Sequence, residues 1–381
     1  MDKILLIGID GLDRFVSSGL TERCPVLNSL VTCAAKVKTE SQRLMSWDMV
    51  WDQVLSGISS PKAGRHARLT EIFPGKGVSI RVFGEPFEKM EGDISPQAVC
   101  ERDKNLLLTA IAEYPAARAD VNVVALNGLN SVLSCGGEET VYWENVEAGL
   151  SPLLADQREN TIVFLFAPFS QNLATQGIRI NQWLLEHGYL TVDTMGTIDK
   201  AGSKAWFDAK NGGIMLGQSA SLDVLGVLQE ALGKLKVFAK RGSDLKVVSF
   251  EDLYPTDDRS QEDPVLYITP KNTKTYLEET LCPDGTQDTV KVLLENAVEV
   301  RATQGLLYVS GYHIDTEKEL VGVALTAVAP TIMEFLGITP LWKMQEHSFV
   351  PQIKERSVSE ETSSGSGAGD AVRSRLEALG Y

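Results

Sequence analysis

The feature that most constrains this chain is its opening run, Lys3-Ile4-Leu5-Leu6-Ile7-Gly8-Ile9-Asp10-Gly11-Leu12. Apolar residues follow one another without alternation, which predicts a strand buried on both faces, as in a parallel sheet. Gly8 and Gly11 bracket a carboxylate where that strand ends. In open α/β sheets ligands gather at the carboxyl ends of the strands, so Asp10 is a candidate functional residue. The alternative is that Asp10 caps the following turn or helix. Both readings stand at this point. Gly8-Ile9-Asp10-Gly11 lacks the glycine spacing that lets a backbone approach a pyrophosphate, so it is not a dinucleotide fingerprint.

Behind this strand the pattern alternates. Helical spacing covers Asp13 to Leu20 and Cys24 to Leu30, and Val37-Lys38-Thr39-Glu40 reads as a strand. Val50, Trp51, Val54 and Leu55 predict a helix that opens at Ser46 and ends at Gly57. Strands are expected at Val78–Gly84, Val121–Leu126 and Thr161–Phe166, with a helix over Asn105–Tyr114. Ala167-Pro168 opens a loop, and an amphipathic helix with Ile180, Trp183 and Leu184 stops at Gly188. Further strands are expected near Ile214, Leu245, Val265 and Leu306, with helices over Asp223–Leu235 and Ala324–Leu336. This order predicts an α/β fold: a doubly wound, mostly parallel central sheet with helices on both faces. Residues 1–350 would form it, with small insertions around 60–120 and 190–300. Residues 351–370, rich in Ser, Gly and Glu, read as a flexible linker, and 371–381 as a helical tail.

Charge narrows the partners. Fifty-one acidic against thirty-six basic residues give a net charge of −15, which repels nucleic-acid backbones. No run reaches the length of a membrane span. Cys24, Cys33, Cys100, Cys135 and Cys282 follow no C-x-x-C spacing, so a reducing, cytoplasmic setting is expected. The four histidines, His66, His187, His313 and His347, lie far apart in sequence.

Several segments carry a family pattern. They include Ile7-Gly8-Ile9-Asp10-Gly11-Leu12-Asp13, Pro25-Val26-Leu27-Asn28-Ser29-Leu30, and Trp51 with Leu55-Ser56-Gly57. Farther on come Asn181-Gln182-Trp183-Leu184-Leu185-Glu186-His187-Gly188-Tyr189-Leu190, Lys204-Ala205-Trp206 before Gly212-Gly213-Ile214, and Val328-Ala329-Pro330-Thr331-Ile332. In this order they resemble the alkaline phosphatase superfamily, in its type I phosphodiesterase and nucleotide pyrophosphatase-like branch. The resemblance implies an alkaline phosphatase-like sheet and two divalent metals, zinc or manganese, holding a phosphoryl group for attack by a Ser or Thr alkoxide. Two-metal chemistry of this kind needs a cage of anionic oxygens and imidazoles.

Asp10 matches the family's first metal ligand; the remaining positions depart from it. The nucleophile position falls at Trp47, with Ser46 one residue away. The next ligand pair falls at Asn130 and Ser134, the hallmark Asp-His at Ala167-Pro168, and the last His at Arg301. Asp48 and Asp52, spaced i,i+4, are either a substitute cation site with Asp10 or an early-helix Asp with a solvated neighbour. Arg301 would bind an anion or pair with Asp10. The expectation is a pseudoenzyme with no cofactor, acting through a protein partner or a second copy, or as a ligand sensor. Two alternatives remain: an active metal-dependent phosphodiesterase or phosphatase with a rearranged site at Asp10, Ser46, Asp48 and Asp52, and a metal-independent anion-binding module.

Overall fold

A computed structural model describes residues 3–41, 45–60, 64, 66–84, 95–113, 119–152, 161–167, 171–209, 211–217, 220, 222–255, 257–282, 290–301, 303–341 and 343–354. The linker and tail expected over 351–381 lie outside them beyond residue 354.

In chain order the first part contains β1 (Lys3–Ile9), α1 (Leu12–Ser17), α2 (Pro25–Thr32), β2 (Ala35–Glu40), α3 (Trp47–Ser56), α4 (Leu69–Ile72) and β3 (Ile80–Phe83). It continues with α5 (Pro96–Glu113), β4 (Val121–Leu126), α6 (Leu129–Ser134), α7 (Glu139–Leu150) and β5 (Thr161–Ala167). Strands β6 (Gln171–Arg179), β7 (Ala205–Asp208), β8 (Gly213–Leu216), β9 (Leu245–Ser249), β10 (Leu266–Pro270), β11 (Thr275–Glu278) and β12 (Lys291–Arg301) follow. Strands β13 (Gln304–Gly311) and β14 (Glu319–Ala324) then lead to a helix over Val328–Phe335.

Seven strands form the main sheet in the order β14-β2-β13-β5-β1-β4-β3. β1, β3, β4 and β5 are mutually parallel. β13 runs antiparallel to both β5 and β2, and β14 is parallel to β2, so six strands share one direction and β13 opposes them. The opening run explains why β1 sits in the middle. Ile4 and Leu6 pack into a core shared with α3 and the Val328–Phe335 helix, whereas Leu5, Ile7 and Ile9 face α1, α2, α5, α6 and α7. Alternate residues of a strand point to opposite faces, so only a strand covered on both sides can be apolar throughout. Each fully buried Leu or Ile contributes on the order of 1.5–3 kcal/mol.

The later strands correct the expectation of one sheet. β7, β8, β10 and β9 form a separate four-stranded antiparallel sheet, and β11, β6 and β12 a three-stranded one. The physical reason is connection length. Only residues 209–212 separate β7 from β8, with Gly212 at φ 63°, and a turn that short can join antiparallel neighbours but not parallel ones. β6 and β12 had no counterpart in the sequence reading: polar residues hide the strand period in β6, and a register shift between Leu293 and Val298 interrupts it in β12. β3, in the stretch read as a strand over Val78–Gly84, joins the edge of the main sheet. Helix α5 also starts earlier than its periodicity indicates; Ser95 Oγ accepts the Ala98 N–H at 3.4 Å and Pro96 opens the first turn. Among the described residues no helix is long and apolar enough to cross a membrane.

Candidate functional site

The carboxyl edge of the parallel strands brings Asp10, Asn130 and Trp51 to the same end of β1. Asp10 follows β1 with only 4% of its surface exposed, and its N–H donates to Leu126 O at the end of β4 at 3.0 Å. Gly11, at φ 78°, makes the turn into α1; a Cβ there would lie 2.3 Å from Leu129 Cδ2. Both the conformation and the space therefore require glycine. The N-cap of α1 is Gly11, and no side chain caps that helix. The cap reading of Asp10 thus gives way to another partner: Asn130 Nδ2, from α6, donates a short hydrogen bond to Asp10 Oδ2.

On the opposite face of β1, α3 delivers an indole. Val50, Trp51, Val54 and Leu55 are fully buried, and Gly57 ends the helix at φ 69° with its N–H on Gln53 O at 2.9 Å. A Cβ on Gly8 would meet Trp51 Cζ2 at 2.4 Å and Phe166 Cε1 at 2.6 Å. Gly8 is therefore the residue that lets two aromatic rings rest on the β1 backbone. Trp51 packs edge-on against Phe166 at 5.1 Å between centroids and against Trp47 at 6.0 Å. The indole N–H groups of Trp47 and Trp51 are buried and meet no acceptor among the described residues. Such groups are costly, at about 1–3 kcal/mol each, so apolar packing of the rings in the surrounding core must offset them.

The other predicted residues are distributed as follows. Ser46 occupies the N-cap position of α3, half-buried, with an extended backbone and no side-chain capping bond. Asp48 is half-buried in the first turn, where the helix dipole favours a carboxylate. Asp52 is 1% exposed and accepts Arg68 Nε at 2.7 Å and the Gly64 N–H at 3.0 Å, so it ties the segment after α3 back to that helix. Among the described residues no three His, Cys, Asp or Glu side chains are grouped to hold a metal ion, so Asp10, Asp48 and Asp52 form no such cluster. Ser134 is the last residue of α6, and its side chain lies outside the described set. Ala167 is buried at the end of β5, paired with Leu306 of β13. Pro168 lies outside the described residues. Arg301 ends β12, where its backbone pairs with Gln171 of β6; its side chain is likewise outside the described set.

Sequence reasoning missed a buried polar network beside Asp10. Asp103 of α5 is fully buried and accepts Arg102 Nε at 2.9 Å, Tyr142 Oη–H at 2.8 Å and the Gly128 N–H at 3.2 Å. Arg102 Nη2 also reaches Asn127 Oδ1 at 3.0 Å. Burial pushes the Asp103 carboxyl above the usual range, against the opposing charge of Arg102. Burial likewise raises the Tyr142 phenol well above its ordinary value, and the charges of Asp103 and Asp10 add to it. A signal existed: Val99, Asp103 and Leu107 share one helix face, so an Asp stood at a core position.

No family model matches this sequence, and no curated protein matches it.

Among the described residues the donor set around Asp10 does not match a cage for a pair of divalent cations. A cation at Asp10 would need further anionic oxygens or imidazoles, and one side chain that meets this carboxylate is an amide donating a hydrogen bond to it. The arrangement suits anchoring: one charge-assisted hydrogen bond ties the β1 turn to α6.

Proposed function

We propose that the chain is a non-catalytic relative of the alkaline phosphatase-like phosphohydrolases, retaining their sheet and working by protein interaction or ligand sensing. The observation that carries this reading is the Asn130 amide on the Asp10 carboxylate. It gives Asp10 a partner without a metal, and the Trp51–Phe166 packing beside Gly8 is consistent with a filled edge. We propose a cytoplasmic setting as well, with which the five free cysteines are consistent.

The test is the elemental metal content of the freshly purified full chain, with phosphodiester and phosphomonoester hydrolysis measured in added zinc or manganese. The expected result is far less than one metal per chain and turnover equal to that of Asp10→Ala. Near-stoichiometric metal with turnover abolished by Asp10→Ala would overturn the proposal.

A further inference from the structure

The chain is strongly acidic, yet one cavity of about 500 Å³ on its four-stranded sheet is walled by Lys200, Arg259 and Trp206, with no carboxylate among the described residues of its lining. Its size is that of a small-molecule site. It shares no residue with the carboxyl edge of the main sheet and does not depend on the reading above.

The strand period explains the aromatic wall. Ala205 and Phe207 of β7 are buried in the core beneath, whereas Trp206 between them touches only the edge of that core and stays half-exposed. Among the described residues β7 is an edge strand, paired with β8, with Trp206 opposite Met215. Lys200 Nζ stands 5.7 Å from the centroid of the indole. Arg259 comes from the turn before β10. Its Nη1 donates to Ser260 O at 3.5 Å and to Asp263 O at 3.4 Å. The Asp263 carboxylate meanwhile accepts the Ser260 N–H at 2.8 Å and its hydroxyl at 2.7 Å, which fixes the turn. Among the described residues neither cation is paired with a carboxylate.

Two cations beside an aromatic face select an anion that also carries a planar ring. The guanidinium offers its remaining N–H groups as a planar fork, and the ammonium offers three donors, a set that suits phosphate oxygens. The indole face offers stacking that any heteroaromatic ring can use. Gln261, also in the lining, supplies an amide donor and acceptor for the edge of such a ring. We propose that this cavity binds a small phosphorylated heteroaromatic molecule, its ring against Trp206 and its phosphate between Lys200 and Arg259.

Calorimetric titration of the full chain with AMP, adenosine and inorganic phosphate tests it. AMP is expected to bind saturably at one site, at least tenfold tighter than adenosine or phosphate alone. Arg259→Gln and Lys200→Gln should each weaken AMP at least tenfold, and Trp206→Ala should do the same while Trp206→Phe retains binding. Lys200 and Arg259 are exposed, so unchanged melting of their variants separates lost binding from lost folding. Absence of saturable AMP binding would overturn the proposal, as would AMP affinity unchanged in both Gln variants, or phosphate alone binding as tightly as AMP.

Discussion

Replacing Gly8 by Ala tests whether the carboxyl edge is filled by packed rings. The added Cβ would lie 2.4 Å from Trp51 Cζ2 and 2.6 Å from Phe166 Cε1, whereas carbon atoms settle at about 3.5–4.0 Å. Both rings must therefore retreat by roughly 1 Å. Neither has room, since Trp51 is fully buried, Phe166 is 2% exposed, and the two meet edge-on at 5.1 Å. Overpacking of a rigid core costs about 1–3 kcal/mol, and two confined aromatic rings put Gly8→Ala at the upper end, about 3 kcal/mol. Trp51→Leu alone leaves a cavity and should cost about 3 kcal/mol. In the double variant the new methyl occupies space the indole has vacated, so the total should fall short of the sum by about 2 kcal/mol. Urea unfolding followed by far-UV circular dichroism measures all four species. Costs that add to within about 0.5 kcal/mol would refute the reasoning, because the indole would then not rest on Gly8.

Asn130→Asp places a second carboxylate against Asp10, and two adjacent carboxylates cannot both ionise cheaply. One folded-state pKa should rise above its unfolded value, so the destabilisation is small below the unfolded carboxylate range and grows as pH rises through the raised pKa. A loss of about 3 kcal/mol at pH 8 that shrinks toward pH 4 is expected in urea midpoints; a pH-independent loss would contradict it. Burial, with the charges of Glu147 and Glu144, pushes the Cys24 thiol up to about 11, and burial and Asp103 raise Cys100 as well. Iodoacetamide at pH 8 should label exposed Cys33 and Cys135 in the native protein and reach Cys24 and Cys100 only after unfolding, with peptide mapping as the readout. Glu147 of α7 accepts the Val26 and Leu27 N–H groups at 2.8 and 3.0 Å, capping α2 from across the core. Glu147→Leu should therefore lower stability by about 2–3 kcal/mol, and an unchanged melting curve would count against that role.

The sequence by itself determined the elements whose pattern is local. The uninterrupted apolar run placed β1 at the centre of a mostly parallel sheet, and the same logic found β4 and β5. The i, i+1, i+4, i+5 spacing and Gly57 delimited α3; Asp10 was singled out from residue type and position, and Asn130 only from the place the family resemblance assigns it. Tertiary structure alone decided what these residues meet. That Asn130 donates to Asp10 depends on β1 lying beside β4, so that the turn after one strand touches the helix after the other. That Gly8 must be glycine depends on an indole 43 positions away. The three separate sheets, the pairing of β6 with β12, and that of Asp52 with Arg68 likewise come from long-range partners. Hydrophobic periodicity records how one segment meets the core, whereas hydrogen-bond partners and ring contacts are set by which segments the fold brings together, and that information is spread over the whole chain.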